Sequence, residues 1–227
     1  MDQFSRTEAL IGKENGEKLK NSKVAVFGLG GVGGHTVEAL ARAGIEHLVL
    51  VDYDTYDITN INRQIGALHS TIGKYKVDVM KERILDINPN AIVETYRPEG
   101  NEMEESSIID STFTYVVDAI DTMKNKLELI EKCSNENINI ISITGSGNKL
   151  DATKFEVTDI YKTNVCPVCK ILRKELKNRG INKLKVVYSK EIPIKPQTDE
   201  RVLASISFVP SVAGLIGAGE VIKDIIK

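Results

Sequence analysis

Long apolar runs are missing from this chain. No stretch of about 18 apolar residues occurs, so no segment is a candidate for a membrane-spanning helix. The start, Met1-Asp2-Gln3-Phe4-Ser5-Arg6, lacks the apolar core of a secretory signal. Cysteine is scarce: Cys133, Cys166 and Cys169 leave one over from any pair, which argues against a disulfide framework and for a reducing cytoplasm. An excess of either charge sign is also lacking. With 30 Lys and Arg against 32 Asp and Glu, the net charge of −2 gives no global hint of a nucleic-acid partner. What remains is 227 residues of ordinary composition, enough for one α/β domain with a sizeable core.

The stretch from Lys23 to Asp54 carries the most information. Lys23-Val24-Ala25-Val26-Phe27 reads as a buried strand. It turns directly into Gly28-Leu29-Gly30-Gly31-Val32-Gly33-Gly34, followed by a helix that stops at Gly44. A second strand, Leu48 to Val51, delivers Asp52. Strand, glycine turn, helix, strand and acid in this order make a nucleotide-binding unit. The glycines let backbone pass close to a ligand, the helix start presents free N–H groups, and the acid is placed to accept from ribose hydroxyls. The pattern does not say which nucleotide.

The remaining elements follow in order. Residues 3–21 form an amphipathic helical segment broken at Gly12, with Arg6 lacking an obvious acidic partner. The loop from Tyr53 to Gln64 is polar, with Asp54, Asn60, Asn62, Arg63 and Gln64 just beyond the nucleotide-binding strand, where α/β proteins place ligands; an Arg there suits phosphate. Gly73-Lys74-Tyr75-Lys76 opens a helix running to Pro89. A Lys in a first turn is electrostatically misplaced unless an anion binds, which favours a phosphate role for Lys76. Residues 91–96 form a third strand, Asn101 to Asp110 an acidic helix, and Phe113 to Val117 a fourth strand. That strand ends in Asp118-Ala119-Ile120-Asp121, two acids that could hold Mg²⁺ against phosphates or simply cap a turn. A helix from Thr122 to about Asn135 and a fifth strand, Ile138 to Ile143, lead to the polar loop Gly145 to Lys149.

Beyond residue 153 the character changes. Residues 155–157 and 184–188 read as strands, with a helix near 167–179 between them. Ten Lys and Arg between Lys162 and Lys195 face only Glu175 and Glu191, the footprint of a nucleic-acid or other polyanion partner; Lys174, Lys177, Lys183 and Lys185 are the candidate contacts. Residues 190–204 look like a mobile loop, and Pro210 starts a last helix rich in small residues, which suits close packing on the sheet or on a partner subunit. Cys166-Pro167-Val168-Cys169 could be half of a zinc site, but no second half is in view, so zinc is not expected. The plain reading is two partly buried thiols at a helix start.

Taken together these motifs resemble the ThiF/MoeB/HesA family, the adenylylating relatives of ubiquitin-activating enzymes. The likeness rests on Gly28 to Gly33, Asp52, Thr59-Asn60-Ile61-Asn62-Arg63-Gln64, Gly73-x-x-Lys76, Asp118-Ala119-Ile120-Asp121 and the last helix with Gly217 and Glu220 to Lys223. Within the family the chain is most similar to the branch that dehydrates threonylcarbamoyladenosine in tRNA, on Phe4-Ser5-Arg6, Asn62 to Ser70, Gly147 to Asp151 and Leu184 to Ser189. The resemblance implies a Rossmann-like, mostly parallel sheet with helices on both faces and a C-terminal strand extension. It implies a single adenylylating domain over 1–227, with 1–153 as nucleotide core and 154–227 on the substrate side. Gly28, Gly30, Gly31 and Gly33 would lie against ATP, Asp52 and Asp54 near the ribose, Asn60, Asn62, Arg63, Gln64 and Lys76 around the nucleotide, and Asp121 on Mg²⁺. Arg6 would reach the active site of the other subunit of a homodimer. The reaction implied is attack of a tRNA-borne carboxylate on the α-phosphate, then ring closure with loss of AMP. A sulfur-relay partner is left open.

Two departures stand out. Carrier-activating members often bear two Cys-x-x-Cys zinc pairs, whereas this chain has one; the dehydratase branch usually has none. The rival readings are an adenylyltransferase for the C-terminal glycine of a ubiquitin-like sulfur carrier, an NAD-dependent oxidoreductase, and a non-catalytic nucleotide sensor.

Overall fold

The computed structural model describes residues 2–98, 105–197 and 203–227. The elements are α1 (Ser5–Ile11), α2 (Lys13–Lys20), β1 (Lys23–Phe27), α3 (Gly33–Ala43), β2 (His47–Val51), α4 (Lys76–Ile87), β3 (Ile92–Tyr96), β4 (Tyr115–Asp118), α5 (Met123–Asn135), β5 (Asn139–Ile143), β6 (Phe155–Asp159), α6 (Pro167–Asn178), β7 (Lys185–Ser189) and α7 (Phe208–Ile226). Of the acidic helix expected from Asn101 to Asp110, residues 101–104 lie outside the described residues; the remainder holds no α-helix, only a short 3₁₀ turn, Glu105–Ile108.

All seven strands join one sheet in the order β3-β2-β1-β4-β5-β7-β6. Every neighbouring pair is parallel except β6 and β7, so β6 is an antiparallel edge and the C-terminal strands extend the same sheet. The chain leaves β1 towards β2 on one side and later returns to β4 on the other. The β1–β4 boundary is therefore the switch point, outside which α/β proteins bind ligands at the carboxyl ends of the strands.

Strand alternation sorts side chains between the two faces. Val24 and Val26 of β1, with Leu48 and Leu50 of β2, pack in one core with Val37 and Leu40 of α3, Met80 and Ile84 of α4, and Ala213 and Val221 of α7. Ala25 and Phe27, with Val49 and Val51, face the other way towards Leu129 and Cys133 of α5. Leu127 and Ile130 of α5 meet Leu172 and Leu176 of α6 over Val186 and Tyr188. Helices thus cover both faces. Gly12, at φ 84°, separates α1 from α2 where the sequence pattern breaks. Pro210 does not open α7, which begins at Phe208; Pro210 instead lies in the first turn, where the missing N–H costs no intrahelical bond.

The small residues of α7 serve the sheet side. A Cβ on Gly214 would stand 2.3 Å from the Val32 carbonyl oxygen, and one on Gly217 would stand 2.4 Å from Ile143 Cδ1. This seats α7 against the glycine turn and the end of β5. Gly219 has nothing within 4 Å of its Cβ position. Gly214→Ala should therefore destabilise the protein by about 1–3 kcal/mol through backbone overpacking. Gly219→Ala should stabilise it by up to about 1 kcal/mol through helix propensity. Urea unfolding of the two variants checks both signs.

Candidate active site

The glycine turn is held by close approach. Gly28 sits at φ 83°, and a Cβ there would lie 2.7 Å from the Ala119 carbonyl oxygen. A Cβ on Gly33 would lie 1.7 Å from the Gly28 carbonyl oxygen. Neither position can carry a side chain while β1, α3 and the end of β4 keep this spacing. The result is a cleft of about 590 Å³ above the switch point. Gly28, Gly30, Gly31, Asp52, Asp54, Asn60, Arg63, Gln64, Lys76 and Asp121 all line it.

Asp52 is held at its floor. Leu29 N–H donates to Oδ2 at 2.6 Å and Asp54 N–H donates to Oδ1 at 2.8 Å. Burial raises its pKa above the usual carboxylate value, against the opposing pull of Lys76 and these two amides. Lys76 is the first residue of α4 and is itself buried. Its Nζ lies 2.7 Å from Asp54 Oδ2 and 3.8 Å from Asp52 Oδ2. The anion that a first-turn Lys calls for is thus supplied by the protein's own carboxylates, and the ammonium is kept at the cleft wall.

The polar loop after β2 is built around a capping box. Thr59 N–H donates to Asp57 Oδ1 at 2.8 Å, and Asp57 N–H donates to Asn60 Oδ1 at 3.1 Å. Arg63 Nη1 donates to Thr59 O at 3.0 Å and Asn62 Oδ1 at 2.9 Å, which orients the guanidinium, while the Cγ of the same side chain packs beside Gly31. Gln64 is buried, and its Oε1 is an acceptor without a donor among the described residues.

Three candidates stand elsewhere. Gly33 is used in packing and does not line the cleft. Asn62 is also absent from the lining; its Nδ2 donates to Ser205 O at 3.1 Å and ties down the start of the last segment. Arg6 is exposed on α1 and lies outside its own chain's cleft. The two acids at the end of β4 do not act as a pair. Asp118 is fully buried and takes Lys126 Nζ at 2.8 and 2.7 Å, Ser142 Oγ at 2.6 Å and Ile120 N–H at 3.1 Å. It is an anchor for the turn and cannot also ligate a metal. Asp121, three residues on, is exposed at the cleft.

Residues not singled out from the sequence complete the walls: Tyr53, Leu203, Ser205 and Pro210, with Ser146 and Gly147 from the loop after β5. Leu203 covers Gly147, whose Cβ would fall 2.7 Å from Leu203 Cδ1. Their approach depends on long-range pairing: Asn148 N–H donates to Ala204 O at 2.8 Å, and Ala204 N–H donates to Asn148 Oδ1 at 2.8 Å. Of the segment expected as a mobile loop, 190–197 and 203–204 are irregular and pinned at Asn148, while 198–202 lie outside the described residues.

The basic segment divides. Arg179 pairs with Glu131, Lys190 with Glu156, and Lys185 with Glu220 and Asp224. Lys185, a candidate for phosphate contact, is thus committed to two carboxylates of α7. Lys170, Lys174 and Lys177 are exposed on α6, and Lys183 is exposed before β7. Because β7 runs parallel to β5, Lys183 stands at the edge of the sheet opposite the cleft. Cys166 and Cys169 are both buried at the start of α6, and no group of three or more metal-ligating residues occurs among the described residues.

The Asp118–Lys126 pair carries a direct prediction. Lys126→Met should leave a buried carboxylate unpaired and lower stability by about 3–5 kcal/mol. Asp118→Asn combined with Lys126→Met should recover part of this loss, read by urea unfolding.

Comparison with known proteins gives the family. The chain is 44% identical over 243 residues to the tRNA threonylcarbamoyladenosine dehydratase of Bacillus subtilis, covering 100% of this chain and 96% of the relative. It is 35% identical over 212 residues to the Escherichia coli dehydratase of the same name, covering 88% of this chain and 78% of the relative. The crystal structure of the E. coli dehydratase TcdA in complex with AMP superposes with a TM-score of 0.92 at 32% identity, covering 98% of this chain and 93% of that one. The ThiF family model matches residues 4–227, and the chain belongs to the ThiF family.

Proposed function

We propose that this protein is an ATP-dependent enzyme that dehydrates threonylcarbamoyladenosine beside the tRNA anticodon, by cyclisation through an acyl-adenylate. The observation that carries the reading is the meeting of Asp52, Arg63, Lys76 and Asp121 on one cleft above the glycine turn, in a ThiF-family chain. The relatives named as dehydratases, one of which is solved both with AMP and with ATP, support the choice of nucleotide and substrate. Residues 1–227 act as one adenylylating unit, with 1–153 holding the nucleotide and 154–227 facing the substrate, in the reducing cytoplasm.

ATP would lie with its ribose hydroxyls on the free lone pairs of Asp52 and its phosphates over Gly30 and Gly31. Gln64 Oε1, without a donor among the described residues, would accept from the ligand. Lys76 would exchange Asp54 for a phosphate oxygen, a short shift because its ammonium already faces the cleft. The substrate carboxylate oxygen attacks the α-phosphorus, pyrophosphate leaves, and Arg63 and Lys76 stabilise the charge gathering on the phosphate oxygens. Asp121 suits Mg²⁺, which usually keeps several waters and takes one or two carboxylates plus phosphates. When bound, the ion would neutralise phosphate charge. In the second step an atom of the same threonylcarbamoyl group closes a ring and expels AMP. The nucleophile is intramolecular, so proximity supplies much of the rate and no protein thiol is needed.

The protein acts as a homodimer in this reading. Arg6, exposed and outside its own cleft, would complete the partner's site, so the cleft of one chain is incomplete alone. The tRNA backbone would track the exposed lysines of α6. A five-residue strand spans about 17 Å, so a polyanion bridging from the cleft to Lys183 need be only a few nucleotides long.

Two outcomes are expected. Purified protein with ATP and Mg²⁺ should convert threonylcarbamoyladenosine-bearing tRNA to the cyclic form, seen as a loss of one water by nucleoside mass spectrometry. The variant with Lys174, Lys177 and Lys183 all changed to Glu should lose tRNA binding and turnover while keeping ATP affinity, and wild-type tRNA affinity should fall steeply with salt. Adenylation of a carrier protein's C-terminal glycine with no action on tRNA would instead establish the sulfur-carrier reading. Mixing Arg6→Ala with Asp121→Ala subunits should restore part of the activity, because one site in a mixed dimer keeps both residues; inactive mixed dimers would sink action in trans.

A further inference from the structure

The Cys-Pro-Val-Cys segment has no part in the chemistry above, yet it is built against the cleft loop. Cys166 stands just before α6 and Cys169 in its first turn, both buried. Residues three apart at a helix start carry their side chains to the same side, the spacing at which two sulfurs can bond without moving the backbone. The two thiols bear on each other's titration: the Cys169 thiol, helped by the amides of Cys169 and Val168 and by Lys149, lowers the Cys166 pKa against the opposing effect of burial. The Cys169 pKa is raised, first by that same hydrogen bond and then by burial. One sulfur is thus set up as nucleophile and the other as its proton-bearing partner.

Three contacts tie the pair to residues 144–149. Thr144 Oγ1 lies 3.2 Å from Cys169 Sγ. A Cβ on Gly145 would lie 2.7 Å from Cys166 Sγ, so the sulfur occupies the space that glycine leaves. Lys149, buried and donating to Glu191 O at 2.6 Å, bears on Cys166 through its charge. Between these anchors Ser146 and Gly147 line the nucleotide cleft. The backbone next to the pair is strained: Val165 has φ 58°, a left-handed value that a β-branched residue rarely takes.

From two buried thiols three residues apart at a helix start, packed on Thr144 and Gly145 at the entry to the cleft loop, we propose that Cys166 and Cys169 form a redox-active dithiol whose oxidation to a disulfide weakens nucleotide binding. The oxidant class is a peroxide. Cys166 thiolate attacks one peroxide oxygen, giving a sulfenic acid and hydroxide. The Cys169 sulfur then attacks Cys166, its proton leaving with the expelled oxygen as water. Overall the two thiols are oxidised to a disulfide and hydrogen peroxide is reduced to water. The bond removes the thiolate charge facing Lys149, frees Thr144 from a thiol partner and shifts the sulfur that packs on Gly145. This goes beyond the proposed activity and uses ATP only as a reporter of the cleft.

The test is hydrogen peroxide treatment of the reduced full-length protein, followed by alkylation under denaturing conditions and peptide mass spectrometry. Cys166 and Cys169 should become resistant to alkylation together, in a peptide lighter by the two thiol hydrogens, while Cys133 stays alkylatable. ATP affinity measured by calorimetry should fall about tenfold, within the usual range of coupling between two sites. It should return with dithiothreitol. Cys166→Ser and Cys169→Ala should bind ATP like the reduced wild type and ignore peroxide. Three results would overturn the proposal: both thiols still alkylatable after peroxide, a disulfide that leaves ATP affinity unchanged, or one zinc per chain in the wild type that Cys169→Ala removes. The mass readout decides the dithiol whether or not the protein binds ATP, so it stands apart from the functional reading.

Discussion

The distance between the glycine turn and the end of β4 governs this structure. At the β1–β4 boundary the Ala119 carbonyl comes so near Gly28 that no side chain fits between them. Gly33 makes room for the Gly28 carbonyl in the same way. This sets the glycine turn and Asp121 on one cleft. The turn that carries Asp121 is held from below by the buried Asp118–Lys126–Ser142 cluster. One ion pair in the core therefore positions a carboxylate at the surface.

The cleft balances its own charge. Lys76 lies between Asp52 and Asp54, and Arg63 is oriented by the carbonyl of Thr59 and the side chain of Asn62. A cation buried without an anion would be costly, so the protein supplies the buried Lys76 with two carboxylates. Those acids sit at the wall and not across the opening, and an incoming polyphosphate competes for one ion pair without rebuilding the site.

The last third of the chain does two jobs. β6 and β7 extend the sheet, and α7 returns to press on α3 and the end of β5, closing the side of the cleft with Pro210. The basic segment is less uniform in space than along the chain. Glu131, Glu156, Glu220 and Asp224 come from other elements to neutralise Arg179, Lys190 and Lys185. What remains exposed is a row of lysines on α6 and before β7.

Most of the long strands and helices are legible in the sequence, the helix expected over Asn101 to Asp110 being the exception. The two periodicities, of strand and helix, are written in residues such as Val24 to Phe27 and Val37 to Ala41, and the breaks are marked by Gly12 and Gly44. It also located most of the cleft, because a glycine turn and the loops after β2 and β4 emerge at one edge of a parallel sheet whatever the side chains do. Tertiary structure alone decided the partners. Nothing local says that Asp118 is buried with Lys126, or that Asn62 reaches Ser205. Nor does anything local tell that Leu203 covers Gly147, or that Lys185 meets Glu220. Each joins segments far apart in the chain, and a charge or amide shows its use only when folding brings up the group that satisfies it.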